Sequence, residues 1–200
     1  ITLFKTILSK LYHWKIYVVG SVEYQYPNHL FQAGYFLDKK YYDENTIDFK
    51  HLLLSEKNQS LLKDIQNSNS VGVHIRRGDY MTKQNLVIFG NICTQKYYHD
   101  AIIIITEKVN DAVFYVFSDD ISWVQTHLDI PNAVYVNWNT GESSIYDMYL
   151  MSSCKYNIIA NSTFSYWAAR LNKKTNMVIY PSKWYNTFTP DIFPESWCGI

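Results

Sequence analysis

Val71-Gly72-Val73-His74-Ile75-Arg76-Arg77-Gly78-Asp79-Tyr80 reads as a short buried strand that runs straight into a charged, glycine-containing turn. Val71, Val73 and Ile75 are the β-branched residues a strand favours, and Gly72 leaves room for close backbone approach. Gly78 permits the tight turn that lets Asp79 face back toward two guanidiniums. The chain holds three arginines, Arg76, Arg77 and Arg170, against fifteen lysines, so two adjacent arginines stand out. A planar five-donor fork grips phosphate or carboxylate bidentately, which an ammonium cannot do. The competing reading is a solvated strand end whose arginines pair with local carboxylates such as Asp79.

Outward from this strand the pattern is an alternation of strands and helices. Strands are expected at Val71–Ile75, Val113–Phe117, Val134–Val136, Ile158–Ala160 and Val178–Tyr180. Helices are expected between them at Gln95–Val109 with Thr94 as N-cap, at Ile121–Leu128 capped by Asp119 or Asp120, at Ser143–Ser153 and at Phe164–Leu171. Four β-α-β crossovers make a Rossmann-type, doubly wound parallel sheet of the α/β class. In the 3-2-1-4-5 order the first strand neighbours the fourth, which puts His74–Tyr80 beside Asn161–Ser165 at the switch point, where such sheets bind ligands.

Asn161-Ser162-Thr163 is a run of good N-cap residues opening the helix at Phe164, and a helix start offers unpaired amides and a positive dipole end. Capping alone accounts for it; set opposite Arg76 and Arg77, the same amides complete a diphosphate cradle. Asp119 and Asp120 end the second strand, where a carboxylate either caps the next helix or accepts from a nucleoside.

Upstream, residues 1–67 form an amino-terminal part and 68–200 the Rossmann-like domain. The first part reads as a weak helix over Thr2–Tyr12, a strand over Ile16–Val19, a tyrosine-rich stretch from Tyr24 to Tyr42 and a helix over Glu56–Ile65. The tyrosines are expected to pack in core and rim.

The 200 residues carry 48% apolar and 18% charged side chains with zero formal net charge. That balance is globular and supplies no field to draw the protein to nucleic acid, so an anionic ligand must be recognised locally. Cys93, Cys154 and Cys198 are widely spaced and odd in number, which argues against a disulfide framework or structural zinc and fits a reducing compartment. No apolar run is long enough to span a bilayer. Neither a Gly-x-Gly-x-x-Gly nor a P-loop signature occurs, and no Asp-x-Asp or His-Glu-x-x-His offers a metal clamp. Arginine and helix amides are then left to neutralise a diphosphate, with no metal.

In the order and spacing of five blocks the chain resembles the bacterial α-1,2-fucosyltransferases of glycosyltransferase family 11. The blocks are His74-Ile-Arg-Arg-Gly-Asp-Tyr80, Phe117-Ser-Asp-Asp120, Asp147-Met-Tyr-Leu-Met-Ser-Ser-Cys154, Ile158-Ile-Ala-Asn-Ser-Thr-Phe-Ser165 and Val178-Ile-Tyr-Pro181 with Trp184. The resemblance implies a GT-B-like fold whose carboxyl-terminal half binds GDP-fucose, with an incomplete amino-terminal acceptor half, because the arginine block comes early, at residue 74. It implies inverting, metal-independent transfer of L-fucose from GDP-β-L-fucose to the 2-hydroxyl of a galactose-containing oligosaccharide or lipid-linked glycan, without a cofactor. The alternatives are another GDP-sugar transferase or a non-catalytic nucleotide- or glycan-binding fragment. Cytoplasmic work, at the inner face of the bacterial membrane with peripheral contact, is expected.

On that reading Arg76, then Arg77, meets the charge that develops on the β-phosphate. Ser162, Thr163 and Phe164 supply amides and hydroxyls, with Asn161 beside them. His74 and Asp119 fall to the nucleoside by resemblance, with Asp120 adjoining. Asp79 is either a general base on the acceptor hydroxyl or a salt bridge that orients an arginine.

Overall fold

The computed structural model describes residues 48–200, together with the strands β1 (Tyr17–Val19) and β2 (Phe31–Ala33). β1 and β2 pair in parallel. The expected helix Thr2–Tyr12 and the tyrosine stretch Tyr24–Tyr42 lie outside the described residues, as does Ile16 of the expected first strand. Two compact units divide the chain, residues 1–43 with 190–192 and residues 44–189 with 193–200.

The larger unit is a six-stranded parallel sheet. Helix α1 (Glu56–Asn67) starts at Ser55, whose hydroxyl accepts from the Asn58 amide. It leads into β3 (Asn69–Ile75), where every residue from Ser70 to Ile75 is buried. A 3-10 turn (Gly78–Met81) and the short helix α2 (Lys83–Phe89) follow. Then come α3 (Gln95–Lys108), β4 (Ala112–Ser118), α4 (Ile121–His127) and β5 (Ala133–Val136). The chain continues through α5 (Ser144–Ser152), β6 (Tyr156–Ile158), α6 (Thr163–Arg170), β7 (Met177–Tyr180) and β8 (Cys198–Gly199).

The strand order is β5-β4-β3-β6-β7-β8, so β3 lies at the centre between β4 and β6. That is the expected 3-2-1-4-5 arrangement with one further edge strand. Strand alternation decides which residues meet which helices. Val71, Val73 and Ile75 face the layer in which α3 buries Tyr97, Tyr98, Ala101, Ile102 and Ile105, a helical spacing. On the other face Tyr115 and Phe117 of β4 pack with Leu61 and Ile65 of α1, Leu150 and Met151 of α5, and Ala168 and Ala169 of α6. A fully buried side chain of this kind contributes about 1.5–3 kcal/mol, so either layer alone supplies enough to hold the sheet. At Gly72 an added Cβ would lie 2.9 Å from Asn157 Nδ2 and 3.0 Å from Met151 Cγ, the close approach expected of that glycine.

Three boundaries differ from expectation. β6 begins two residues early, at Tyr156, because the buried Asn157 in mid-strand is satisfied: its Nδ2 donates to the Met151 carbonyl and its Oδ1 accepts from Asn172 Nδ2. At the other end the Ala160 amide donates to Ser165 Oγ instead of a neighbouring strand. Helix α2 and strand β8 were not expected; α2 is only 7 residues and β8 only 2, too short to show a periodicity.

Candidate active site

Ile75 ends β3, and the turn that follows is built around carboxylates from the next strand. Asp119, just past β4, accepts from the Arg77 amide with Oδ1 at 2.9 Å and from Arg76 Nη1 with Oδ2 at 2.9 Å. Asp79 closes on the same guanidinium from within the turn, Oδ1 to Nη2 at 2.6 Å. Arg76 is thus held by two carboxylates, which fixes the plane of its fork. Gly78 makes this possible: a Cβ there would stand 2.5 Å from Asp119 Oδ2.

Arg77 takes a different course. Its Nε donates to Asp120 Oδ2 at 3.3 Å, and its guanidinium lies 3.6 Å from the centroid of the Trp123 ring. Asp120 is also the N-cap of α4, accepting from the Trp123 amide at 3.1 Å, which settles the expected choice between Asp119 and Asp120. Arg77 is therefore turned away from the cleft that Arg76 lines.

The loop before α6 comes to the same place. Tyr80 Oη donates to the Asn161 carbonyl at 2.9 Å, and the Phe164 ring lies 4.9 Å from the His74 ring. The first amides of α6, at Thr163 to Ser165, belong to the turn an α-helix cannot satisfy internally. Ser162 is the N-cap by position, although its side chain makes no capping bond. The Asn161 side chain is structural: its Nδ2 donates to the Trp184 carbonyl and its Oδ1 accepts from the Cys93 thiol. Burial pushes that thiol up to about 12, so Cys93 stays protonated there.

His74, Arg76, Asp119 and Phe164 share the wall of a cavity of about 570 Å³ at the carboxyl ends of β3, β4 and β5. That size suits a small-molecule site. Burial, and secondarily Arg76, holds the His74 imidazole down to about 3, so it is neutral at physiological pH. Among the described residues His74 Nδ1 is buried with no hydrogen-bond partner, which leaves a ring nitrogen for a ligand.

The opposite wall carries a residue to which the sequence reading gave no role. Asp147, on α5, is buried, and burial lifts its carboxyl to about 7 against the lowering effect of a 2.6 Å bond from Asn139 Nδ2. Asn139 in turn accepts from Asn58 Nδ2 at 3.0 Å, and Trp138 Nε1 donates to Asn58 Oδ1 at 2.7 Å. The signal for Asp147 was a lone polar residue on the buried face of an apolar helix, inside one of the quoted blocks. Among the described residues no group of three or more His, Cys, Asp or Glu side chains is placed to hold a metal ion. Nor is any helix there long and apolar enough to cross a membrane.

Comparison with known proteins agrees with this geometry. The family model described as Glycosyl transferase family 11 matches residues 4–200. An alpha-1,2-colitosyltransferase from Escherichia coli is 35% identical over 196 residues, covering 90% of this chain and 63% of the relative. The O-antigen biosynthesis glycosyltransferase WbnK, also from Escherichia coli, is 43% identical over 122 residues, 60% of this chain and 40% of the relative. Galactoside alpha-(1,2)-fucosyltransferase 2 of Pongo pygmaeus is 28% identical over 163 residues, 75% of this chain and 48% of the relative. The chain thus spans between 40% and 63% of the length of these relatives.

Proposed function

We propose, from the premise that this chain belongs to Glycosyl transferase family 11, that the protein transfers L-fucose from GDP-β-L-fucose to the 2-hydroxyl of a galactoside, inverting the anomeric centre. The observation that carries the proposal is the convergence of the Arg76 guanidinium with the amino end of α6 on one cleft.

The reaction is a single displacement. The bond from C1 to the β-phosphate oxygen breaks, and its electron pair leaves on the phosphate. The acceptor oxygen bonds to C1 from the opposite face and gives up its proton. Negative charge grows on the β-phosphate as the bond stretches, so a donor fork already aimed there acts on the transition state more than on the bound donor. Arg76 takes that role, with the amides of Thr163 and Phe164 as second donors and the Ser162 and Thr163 hydroxyls in reach. Asp79 and Asp119 hold the fork in plane, which favours an orienting role for Asp79 over that of general base. Arg77 and Asp120 support the turn from behind.

The nucleoside belongs in the larger cavity. Neutral His74 offers a ring nitrogen, and Asp147, ionised above about 7, offers acceptor oxygens to base N–H groups. In keeping with the family's paired architecture, residues 68–200 form the donor half of a GT-B enzyme and residues 1–67 part of the acceptor half. Action in the cytoplasm, at the inner membrane face on a lipid-linked glycan, is proposed with it; the likeness to a relative named for O-antigen biosynthesis supports that setting.

A second reading is favoured by the 35% identity to an alpha-1,2-colitosyltransferase: the same displacement with GDP-colitose as donor. A panel of GDP-fucose, GDP-colitose, GDP-mannose and UDP-sugars with a galactoside acceptor tests both. An α-1,2-linked product from GDP-fucose supports the first reading and one from GDP-colitose alone the second. GDP binding without turnover, or transfer only from a UDP-sugar, defeats both.

A further inference from the structure

Arg76 lines two cavities. Besides the cleft shared with His74 and Asp147, a second cavity of about 220 Å³ lies on the far side of the guanidinium, and Asn161, the residue before the α6 cap, lines that one. The arginine and the amino end of α6 therefore form a partition, with Phe164 on the larger side and Asn161 on the smaller. A nucleoside diphosphate sugar has the same order of parts: base and ribose, then phosphates, then one pyranose ring.

The two walls differ in chemistry. The larger cavity carries Asp119, Asn137, Asn139 and Asp147, hydrogen-bonding groups suited to a base and ribose. The smaller is bounded by Tyr80, Met81, Leu86 and Phe89, with Ile75 below. Tyr80 and Phe89 stack with centroids 4.5 Å apart, and Phe89 also packs on Tyr185 at 5.5 Å, so this wall is braced. Tyr80 is further pinned by its bond to the Asn161 carbonyl. Asn91, Thr94 and Gln95 add polar atoms on one side. A wall that is aromatic and aliphatic, with hydrogen-bonding groups at one margin, fits a 6-deoxyhexose: its methyl group and apolar ring face bury well, while its hydroxyls need partners on one side only.

We infer that this second cavity, between the Gly78–Met81 turn, α2 and the start of α3, is the subsite for the transferred 6-deoxy sugar, with Arg76 as the divider that holds the diphosphate between the two cavities. The inference rests on the nucleotide-sugar reading above and adds to it the place where the sugar is recognised. It also gives α2 a purpose. This short helix has no buried residue of its own, yet it presents Leu86 and Phe89 to the cavity.

The test is to fill the cavity without touching the nucleotide side. Leu86→Trp and, separately, Met81→Trp are introduced into the full-length protein, and GDP and GDP-fucose binding are measured by calorimetry beside a thermal melt. In each variant the Kd for GDP is expected to stay within about twofold while that for GDP-fucose weakens about tenfold or more, the size of effect a misfitting apolar pocket gives. Equal weakening of both ligands, or unchanged GDP-fucose binding in both variants with melts intact, would overturn the sugar-subsite assignment and leave the nucleotide reading standing. Failure of the parent protein to bind GDP at all would overturn the nucleotide reading and this inference with it.

Discussion

Gly78→Ala isolates the geometry on which the arginine fork depends. Gly78 has no left-handed backbone angle, so alanine is tolerated by the main chain and only its Cβ matters. That Cβ would lie 2.5 Å from Asp119 Oδ2 and 3.2 Å from Asp119 Cγ, so the Asp119 side chain must swing aside. In doing so it gives up the 2.9 Å contact with Arg76 Nη1 and the 2.9 Å bond from the Arg77 amide. The Arg76 and Asp119 side chains are 33% and 27% exposed, so global stability is expected to change by no more than about 1 kcal/mol. Transfer is another matter, because a fork held only by Asp79 no longer keeps its aim. Losing one charge-assisted contact costs about 1.5–3 kcal/mol, which corresponds to a fall of about 10- to 100-fold in kcat/KM with little change in Tm. The assay is a double-mutant cycle in steady-state transfer with Asp119→Ala. Once the carboxylate is gone the alanine at 78 has nothing to strike, so the second change should add almost nothing. Full additivity of the two losses, or an unaltered kcat/KM in Gly78→Ala alone, would refute the reasoning.

Arg76→Lys keeps the charge and loses the planar fork; transfer is expected to fall about 10²-fold or more, and near-normal turnover would remove Arg76 from the mechanism. Chelator is expected to leave transfer intact, and loss with EDTA that Mg²⁺ restores would contradict an arginine-and-amide clamp. Asp147 has its carboxyl raised from 3.8 to about 7, so the protonated form is the one the fold favours: its contribution to stability is full below pH 3.8 and lost as pH rises through about 7. Asp147→Asn, which keeps the Asn139 neighbour, should therefore be more stable than the parent at pH 8 by about 2 kcal/mol, read from urea melts at pH 5 and 8, with the gap narrowing at the lower pH. The His74 imidazole, held down to about 3, should show no titration of its ring protons by NMR between pH 5 and 8, and a midpoint near 6.5 would mean that the ring is not buried as described.

Much of the carboxyl-terminal unit was legible because a parallel sheet buried on both faces writes itself as short β-branched runs between helical periods. Val71–Ile75 and Ala112–Ser118 are of that kind, and their order placed His74 and Arg76 beside the start of α6. β6 was harder to read, since Lys155, Tyr156 and Asn157 look like a loop until Asn172 and the Met151 carbonyl satisfy the buried amide. The pair Arg76-Arg77 marked the site, yet no local pattern could say that one guanidinium faces a cleft while the other stacks on Trp123, 46 residues further along the chain. Asn161 matched the expected loop, but its side chain is engaged by Trp184 and Cys93. Asp147 took its character from burial and from Asn139 and Asn58, partners that only the folded chain brings together.

A crystal of the protein grown with GDP, read for the atoms nearest the β-phosphate, puts the central claim to its most direct trial. The account predicts Arg76 Nη1 or Nη2 and at least one amide from Thr163 to Ser165 within hydrogen-bonding distance of β-phosphate oxygens, with the base on the Asp147 side. GDP bound elsewhere, or a β-phosphate met by neither Arg76 nor the amino end of α6, would contradict it.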